Sequence, residues 1–230
     1  MSPRREPVGR RDRPAKAPLS RAGAVAVALR IMQEEGLERV TMRRLATELD
    51  TGPASLYVYV ANVAELHGAI FDELLAGLPL PARGDRWRAD LVALLTAYTE
   101  MLFAHPGLAR SLVTLRPSGP NYVRLIDTLL GLLHEGGVPV AQAAWGVDLL
   151  LQHGTATAAE QGTRDETAGA ASEQFALTEA VREAAAHDHP NIARAREELF
   201  SGTGPQRLAW MFDALISGIA STPITGDDHD

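Results

Sequence analysis

TMRRLATELDTGPASLYVYVANVAEL, residues 41–66, holds three helix starts in close succession, at Thr41, Pro53 and Asn62. Thr41 has the side chain of a helix N-cap and Val40 precedes it as an apolar staple, while Met42, Leu45, Ala46 and Leu49 recur at helical spacing. That predicts a helix of about two turns. Asp50, Thr51 and Gly52 break the pattern, and Pro53 opens another short helix, since its missing N–H would have no partner in a first turn. This helix is expected to reach about Val60. Asn62 then caps a longer one with Leu66, Ala69, Ile70, Leu74 and Leu78 on its buried side, ended by Pro79 and Pro81.

Two short helices joined by a tight turn that contains glycine form a helix-turn-helix, whose second helix fits the DNA major groove. Leu45, Leu49 and Leu56 lock the pair to the preceding helix, and Ala46 sits where the two must approach. Pro53, Ala54, Ser55, Tyr57, Val58 and Tyr59 are left on the outer face. The same pattern occurs in helical bundles, where residues such as Tyr57, Val58 and Tyr59 pack against a further helix, so the pattern alone leaves both readings open.

Upstream, Leu19 and Ser20 form a staple and cap for a first helix with Val25, Ala28, Leu29 and Met32 on one stripe, stopped at Gly36. Residues 1–18 are Arg- and Pro-rich and are expected to be a disordered basic arm; they have no apolar stretch of the kind a signal peptide requires. The formal net charge is −7, unevenly spread: residues 1–60 carry 11 Lys or Arg against 7 Asp or Glu, and the remainder 11 against 22. A basic end on an acidic body is the electrostatic footprint of a DNA-contacting head, and equally of a basic tail.

Downstream the punctuation predicts helices over residues 87–104, 105–115, 119–134, 140–161, 172–187, 192–200 and 205–219, with a flexible loop at 162–171 and a disordered acidic tail at 223–230. The expected class is all-α: a helix-turn-helix domain over 19–65 and a larger ligand-binding and dimerisation domain over 66–222. The chain of 230 residues has no cysteine, which excludes disulfides, zinc-thiolate sites and thiol nucleophiles. No window is apolar enough for a membrane span, so a cytoplasmic protein without a membrane partner is expected. Phosphate-loop, Gly-x-Ser-x-Gly and His-Glu-x-x-His motifs are missing, and the cluster His187-Asp188-His189 reads as a solvated helix cap, so no enzyme and no cofactor are expected.

Residues 41–66 resemble the TetR family of bacterial transcriptional regulators. The resemblance is specific over about 19–66 and continues more loosely through HPGLARSLVTLRPSGPN, residues 105–121, which looks like the C-terminal domain of the tetracycline-repressor branch. It implies a homodimeric repressor that leaves a palindromic operator in double-stranded DNA when a small-molecule effector binds. By matching position, it implies that Thr41 and Tyr57 hold phosphates and that Arg43 reaches a base edge. Chemistry agrees, since Arg pairs bidentately with guanine and hydroxyls donate to phosphate. Arg44 is a phosphate contact or a solvated charge, Ser55 can donate to bases, and Ala54 or Val58 can meet thymine methyls. Many members carry a phosphate-holding Lys where this chain has Val63; the arm with Arg10, Arg11 and Arg13 is expected to compensate.

The resemblance also implies dimerisation through the helices at 140–161 and 205–219, with Ala156, Ala159, Leu208, Met211, Phe212 and Leu215 at the interface. Candidate pocket residues are Tyr98, Leu112, Arg116, Thr128, Trp145, Gln152, His153 and Thr157. Tetracycline-binding members have a His and a Thr where this chain has Leu112 and Leu115, and leucines cannot ligate magnesium. A largely apolar ligand and no metal are therefore expected. The competing reading is a helical small-molecule sensor or protein-interaction module with little or no DNA binding.

Overall fold

In a computed structural model, which describes residues 19–82 and 84–224, the described chain is helical throughout and has no strand. The arm arginines Arg10, Arg11 and Arg13, and the acidic tail beyond Ile224, lie outside the described residues. Four helices form the N-terminal head: α1 (Arg21–Glu35), α2 (Met42–Glu48), α3 (Pro53–Leu56) and α4 (Val63–Leu75), with a 3-10 turn at Leu37–Arg39. The body consists of α5 (Trp87–Phe103), α6 (Pro106–Leu112), α7 (Pro120–Glu135), α8 (Val140–Glu166), α9 (Ala170–Glu183), α10 (Pro190–Ala195) and α11 (Gly204–Ser221).

The expected caps are in place. Ser20 Oγ accepts from Gly23 N at 3.1 Å, Thr41 Oγ1 from Arg44 N at 3.1 Å and Asn62 Oδ1 from Glu65 N at 2.8 Å. Each satisfies an N–H that the start of a helix leaves orphaned. Glu65 Oε2 reaches back to Ala61 N at 2.7 Å, so the start of α4 is bonded on both sides. One hydrophobic core runs from Ala28, Ile31 and Leu45 in the head through Phe71 to Leu95, Leu129 and Leu150 in the body.

Three expected elements are corrected: the third helix, the loop at 162–171 and the helix at 192–200. The third helix ends at Leu56: Tyr59 N bonds back to Leu56 O three residues earlier, a tighter turn that carries Val60 into the core at 1% exposure. The left-handed residue of the helix-turn-helix turn is Asp50, at φ 48°, while Gly52 is extended; Asp is among the few residues that tolerate this conformation. The flexible loop expected at 162–171 is largely helix, since α8 continues to Glu166. A Cβ on Gly162 would sit 2.3 Å from Pro106 Cβ, so the glycine is there to let α8 meet α6. Gly154 and Gly146 do the same against α5 and α11, where a Cβ would fall 2.7 Å from Thr99 Oγ1 and from Ile219 Cγ2. The single helix expected at 192–200 is likewise two short pieces, α10 and a 3-10 turn at Glu198–Phe200. No residue of α9 is buried.

Candidate nucleic-acid interface and ligand cavity

In α2 the buried stripe is Met42, Leu45 and Ala46, which places Arg43 and Thr47 together on an exposed flank. Arg43 has no ion-pair partner among the described residues. Thr41 Oγ1 accepts its capping bond and retains its own proton for a further acceptor. Around α3, Pro53, Ala54 and Ser55 are exposed, Tyr57 and Val58 are 54% and 80% exposed, and Leu56 and Val60 are the inward anchors. Tyr59 is half-buried against the core rather than on the outer face. Val63 likewise packs on the core.

Arg44 has a different environment from Arg43. Its Nη2 lies 2.6 Å from Glu35 Oε1 and its Nη1 2.6 Å from Glu48 Oε2, and these bonds hold the guanidinium above its ordinary pKa and both carboxyls below theirs. Its Nε also points at Glu35 Oε2 at 3.4 Å, so all three guanidinium nitrogens donate to a carboxylate.

Between α4 and the body lies an open pocket of about 260 Å³, with Val113, Arg116, Asp148 and Gln152 exposed at its rim. Phe71, Tyr98 and Tyr122 supply rings, with Phe71 edge-on to Tyr98 at 6.3 Å and tilted against Tyr122 at 5.9 Å. Leu112, Val113, Leu115 and Leu151 add aliphatic surface, and Arg116, Asp148, Gln152 and Thr155 add polar groups. Asp148, Gln152 and Thr155 share a face of α8. Gln152 Nε2 bonds Asp148 Oδ2 at 2.6 Å, and Thr155 gives its proton to Leu151 O at 2.8 Å. The 2.6 Å contact between Tyr98 and Thr155 therefore has Tyr98 as donor. Burial pushes the Tyr98 phenol well above its usual pKa.

Of the expected pocket residues, Tyr98, Leu112, Arg116 and Gln152 line this cavity and the others do not. Thr128 bonds Arg124 O, His153 contacts Met211 Sδ, Thr157 is half-buried elsewhere, and Trp145 stands 68% exposed on the outer side of α8. Phe71, Tyr122, Asp148 and Thr155 were missed. Asp148 and Thr155 were legible as one helical face with Gln152, whereas Phe71 and Tyr122 carry no local signal.

A second, larger cleft of about 830 Å³ separates α1 and α4 from residues 115–121. Leu115, Arg116 and Pro117 border both spaces. Across the cleft Asp72, buried at the C-terminal half of α4, accepts from Tyr122 N at 2.9 Å and from Asn121 Nδ2 at 3.1 Å. It thus serves as the cap that the start of α7 lacks locally.

The expected interface residues divide. Leu208 and Phe212 are buried in the chain's own core, at 7% and 0% exposure, and Ala159 at 8%; α11 turns this side toward α5 and α8. Met211 and Leu215 are partly covered and Ala156 is exposed. The apolar surface left open on α8 and α11 is instead a groove of about 500 Å³ lined by Trp145, Leu149, Ala214, Leu215, Gly218 and Ile219.

These features define an all-helical regulator class: a helix-turn-helix head on a body with an aromatic-lined pocket. Residues 24–69 match the family described as "Bacterial regulatory proteins, tetR family", and residues 79–222 match "Tetracyclin repressor-like, C-terminal domain". The chain belongs to the TetR family. A transcription regulator from Streptomyces coelicolor with a solved structure is 53% identical, covering 92% of this chain and 99% of its own, at a TM-score of 0.75. The TetR family protein ActR from Streptomyces coelicolor, solved in complex with actinorhodin, is 33% identical over 88% of this chain and 96% of its own, at a TM-score of 0.78. The transcriptional repressor DrrR1 of Streptomyces coeruleorubidus is 34% identical over 131 residues, 55% of this chain and 48% of the relative. This chain thus spans about half the length of DrrR1 in that match. No single helix among the described residues is long and apolar enough to cross a membrane.

Proposed function

We propose that the chain is a cytoplasmic, homodimeric repressor that binds a palindromic operator through α2 and α3 and leaves it when a small molecule fills the body cavity. The observation that carries this reading is the outer surface of the head. Thr41, Arg43, Ser55, Tyr57 and Val58 are exposed together over a scaffold buried through Leu45, Ala46 and Leu56. Such a surface offers hydroxyl donors for phosphate, one uncommitted guanidinium for a base edge and apolar atoms for thymine methyls. Two-fold pairing through the groove at Trp145, Leu149, Ala214 and Gly218 would present two heads to two half-sites.

The cavity supports a flat, mainly apolar effector with hydroxyl or carbonyl groups along one edge, facing Asp148, Gln152 and Arg116. Leu112 and Leu115 offer no donor atom, which favours recognition without magnesium. That ActR of the same fold accommodates actinorhodin supports a small-molecule effector of this kind. Release follows from the shared wall. Leu115 Cδ2 lies 3.4 Å from where a Cβ on Gly68 would stand, so a ligand that displaces residues 115–117 presses on α4, which carries the head.

A gel-shift and footprint with duplexes flanking the chain's own gene tests the proposal. Protection of a two-fold symmetric site by a dimer is expected. A folded dimer that protects no site at low salt would instead identify a sensor without DNA binding.

A further inference from the structure

We propose that Arg44 is a positioning residue for the reading surface and not a DNA contact: clamped between Glu35 and Glu48, it fixes the roll of α2 on α1 and so the direction of Arg43. The proposal rests on the DNA-binding reading above for its functional half. Five charges alternate in a chain across the two helices. Glu35 meets Arg44 at 2.6 Å, Arg44 meets Glu48 at 2.6 Å, Glu48 meets Arg30 at 2.5 Å, and Arg30 meets Glu34 at 3.0 Å. The Arg44 fork gives Nη2 and Nε to Glu35 and Nη1 to Glu48, a geometry that a single ammonium could not reproduce.

The need for such a clamp follows from the size of α2. It has 7 residues, too few to hold itself helical, and its buried residues form one narrow stripe. A single line of apolar contact fixes a helix's position better than its rotation. Arg44 and Glu48 supply a second line, displaced around the axis from Met42 and Leu45. Arg43 and Thr47 lie on the remaining flank, the one no ion pair ties down. A roll of about 15° moves a side-chain tip about 6 Å from the axis by about 1.5 Å. That displacement exceeds what a bidentate hydrogen bond to a base edge tolerates.

The full-length chain, its Arg44→Gln variant and the double variant Glu35→Gln/Glu48→Gln are titrated over a range of salt on a duplex from the DNA flanking the gene. Both variants are expected to bind about tenfold more weakly with an unchanged salt slope, and to discriminate less at the base that Arg43 reads. A slope reduced by about one in Arg44→Gln would overturn the proposal, as would tighter binding with a steeper slope in the double variant. Either result makes Arg44 a phosphate ligand. Unchanged affinity in both variants overturns it too. Amide hydrogen exchange in DNA-free protein separates the two readings: faster exchange confined to α2 is expected in both variants, and unchanged α2 exchange overturns the clamp. If the wild-type chain retards no duplex, the DNA-binding reading fails on its own, and the exchange result still decides the clamp.

Discussion

Arg43 and Arg44 are neighbours in sequence and about 100° apart around α2, which gives them unlike chemistry. One points outward with no ion-pair partner among the described residues; the other is held by two carboxylates. Arg43→Ala is expected to cost about 1–3 kcal/mol of operator affinity and to relax preference at a single base position. Competition gel-shifts with base-substituted duplexes check this, and equal loss on every sequence would make Arg43 a phosphate anchor. At this scale the sequence was most legible where a residue's role is local: Ser20, Thr41 and Asn62 cap the helices expected of them. It was least legible for Glu35, whose partner Arg44 is brought close only when α1 and α2 pack.

Among elements, α8 shows why turn signals mislead. Gly162 and the polar residues after it read as a loop, but the helix needs Gly162 for its approach to Pro106. Thr163 bonds Ala159 O at 2.8 Å, one turn back within the same helix. Tertiary packing outweighs local preference there. By the same argument Gly154→Ala, which drives a methyl to 2.7 Å from Thr99 Oγ1, is expected to destabilise the fold by about 1–3 kcal/mol in a thermal or denaturant melt.

The contact of α4 with α6 carries a pH dependence. His67 Nδ1 lies 3.0 Å from Ser111 Oγ, its Nε2 is buried without a partner among the described residues, and burial lowers its pKa below the ordinary value, offset in part by Glu38. The unfolded chain therefore takes up this proton first as pH falls through about 6.5, so the His67 contribution to stability is complete above that pH and lost below it. His105 shifts the same way by burial and adds to the slope. His67→Gln is expected to lessen, without abolishing, the fall in Tm between about pH 7.5 and about pH 5.5.

Over the whole molecule, the division into a basic N-terminal segment and an acidic remainder is a property of the sequence that outlasts any single contact. Val63 packs inward and carries no charge, and the compensation expected from the arm before Leu19 is open to a direct test. Removing residues 1–17 is expected to weaken operator binding and flatten its dependence on salt, measured by titration at several ionic strengths. An identical slope would confine binding to the head. Class and head were legible because their signals are periodic and local. The cavity was half legible, since Phe71 and Tyr122 become neighbours only once α4 lies against α7.

That junction also sets which inherited changes the chain can survive. Every missense change of a glycine codon adds a β-carbon, and at Gly119 it would land 2.1 Å from Asp72 Cγ, where the buried carboxylate caps α7. At Gly131, in the middle of that same helix, an added carbon meets nothing within 4 Å. In a saturation library selected for repression, Gly119 is expected to be nearly invariant and Gly131 to accept alanine freely. Two glycines twelve positions apart would then differ in their evolutionary latitude because only one faces the carboxylate that joins head to body.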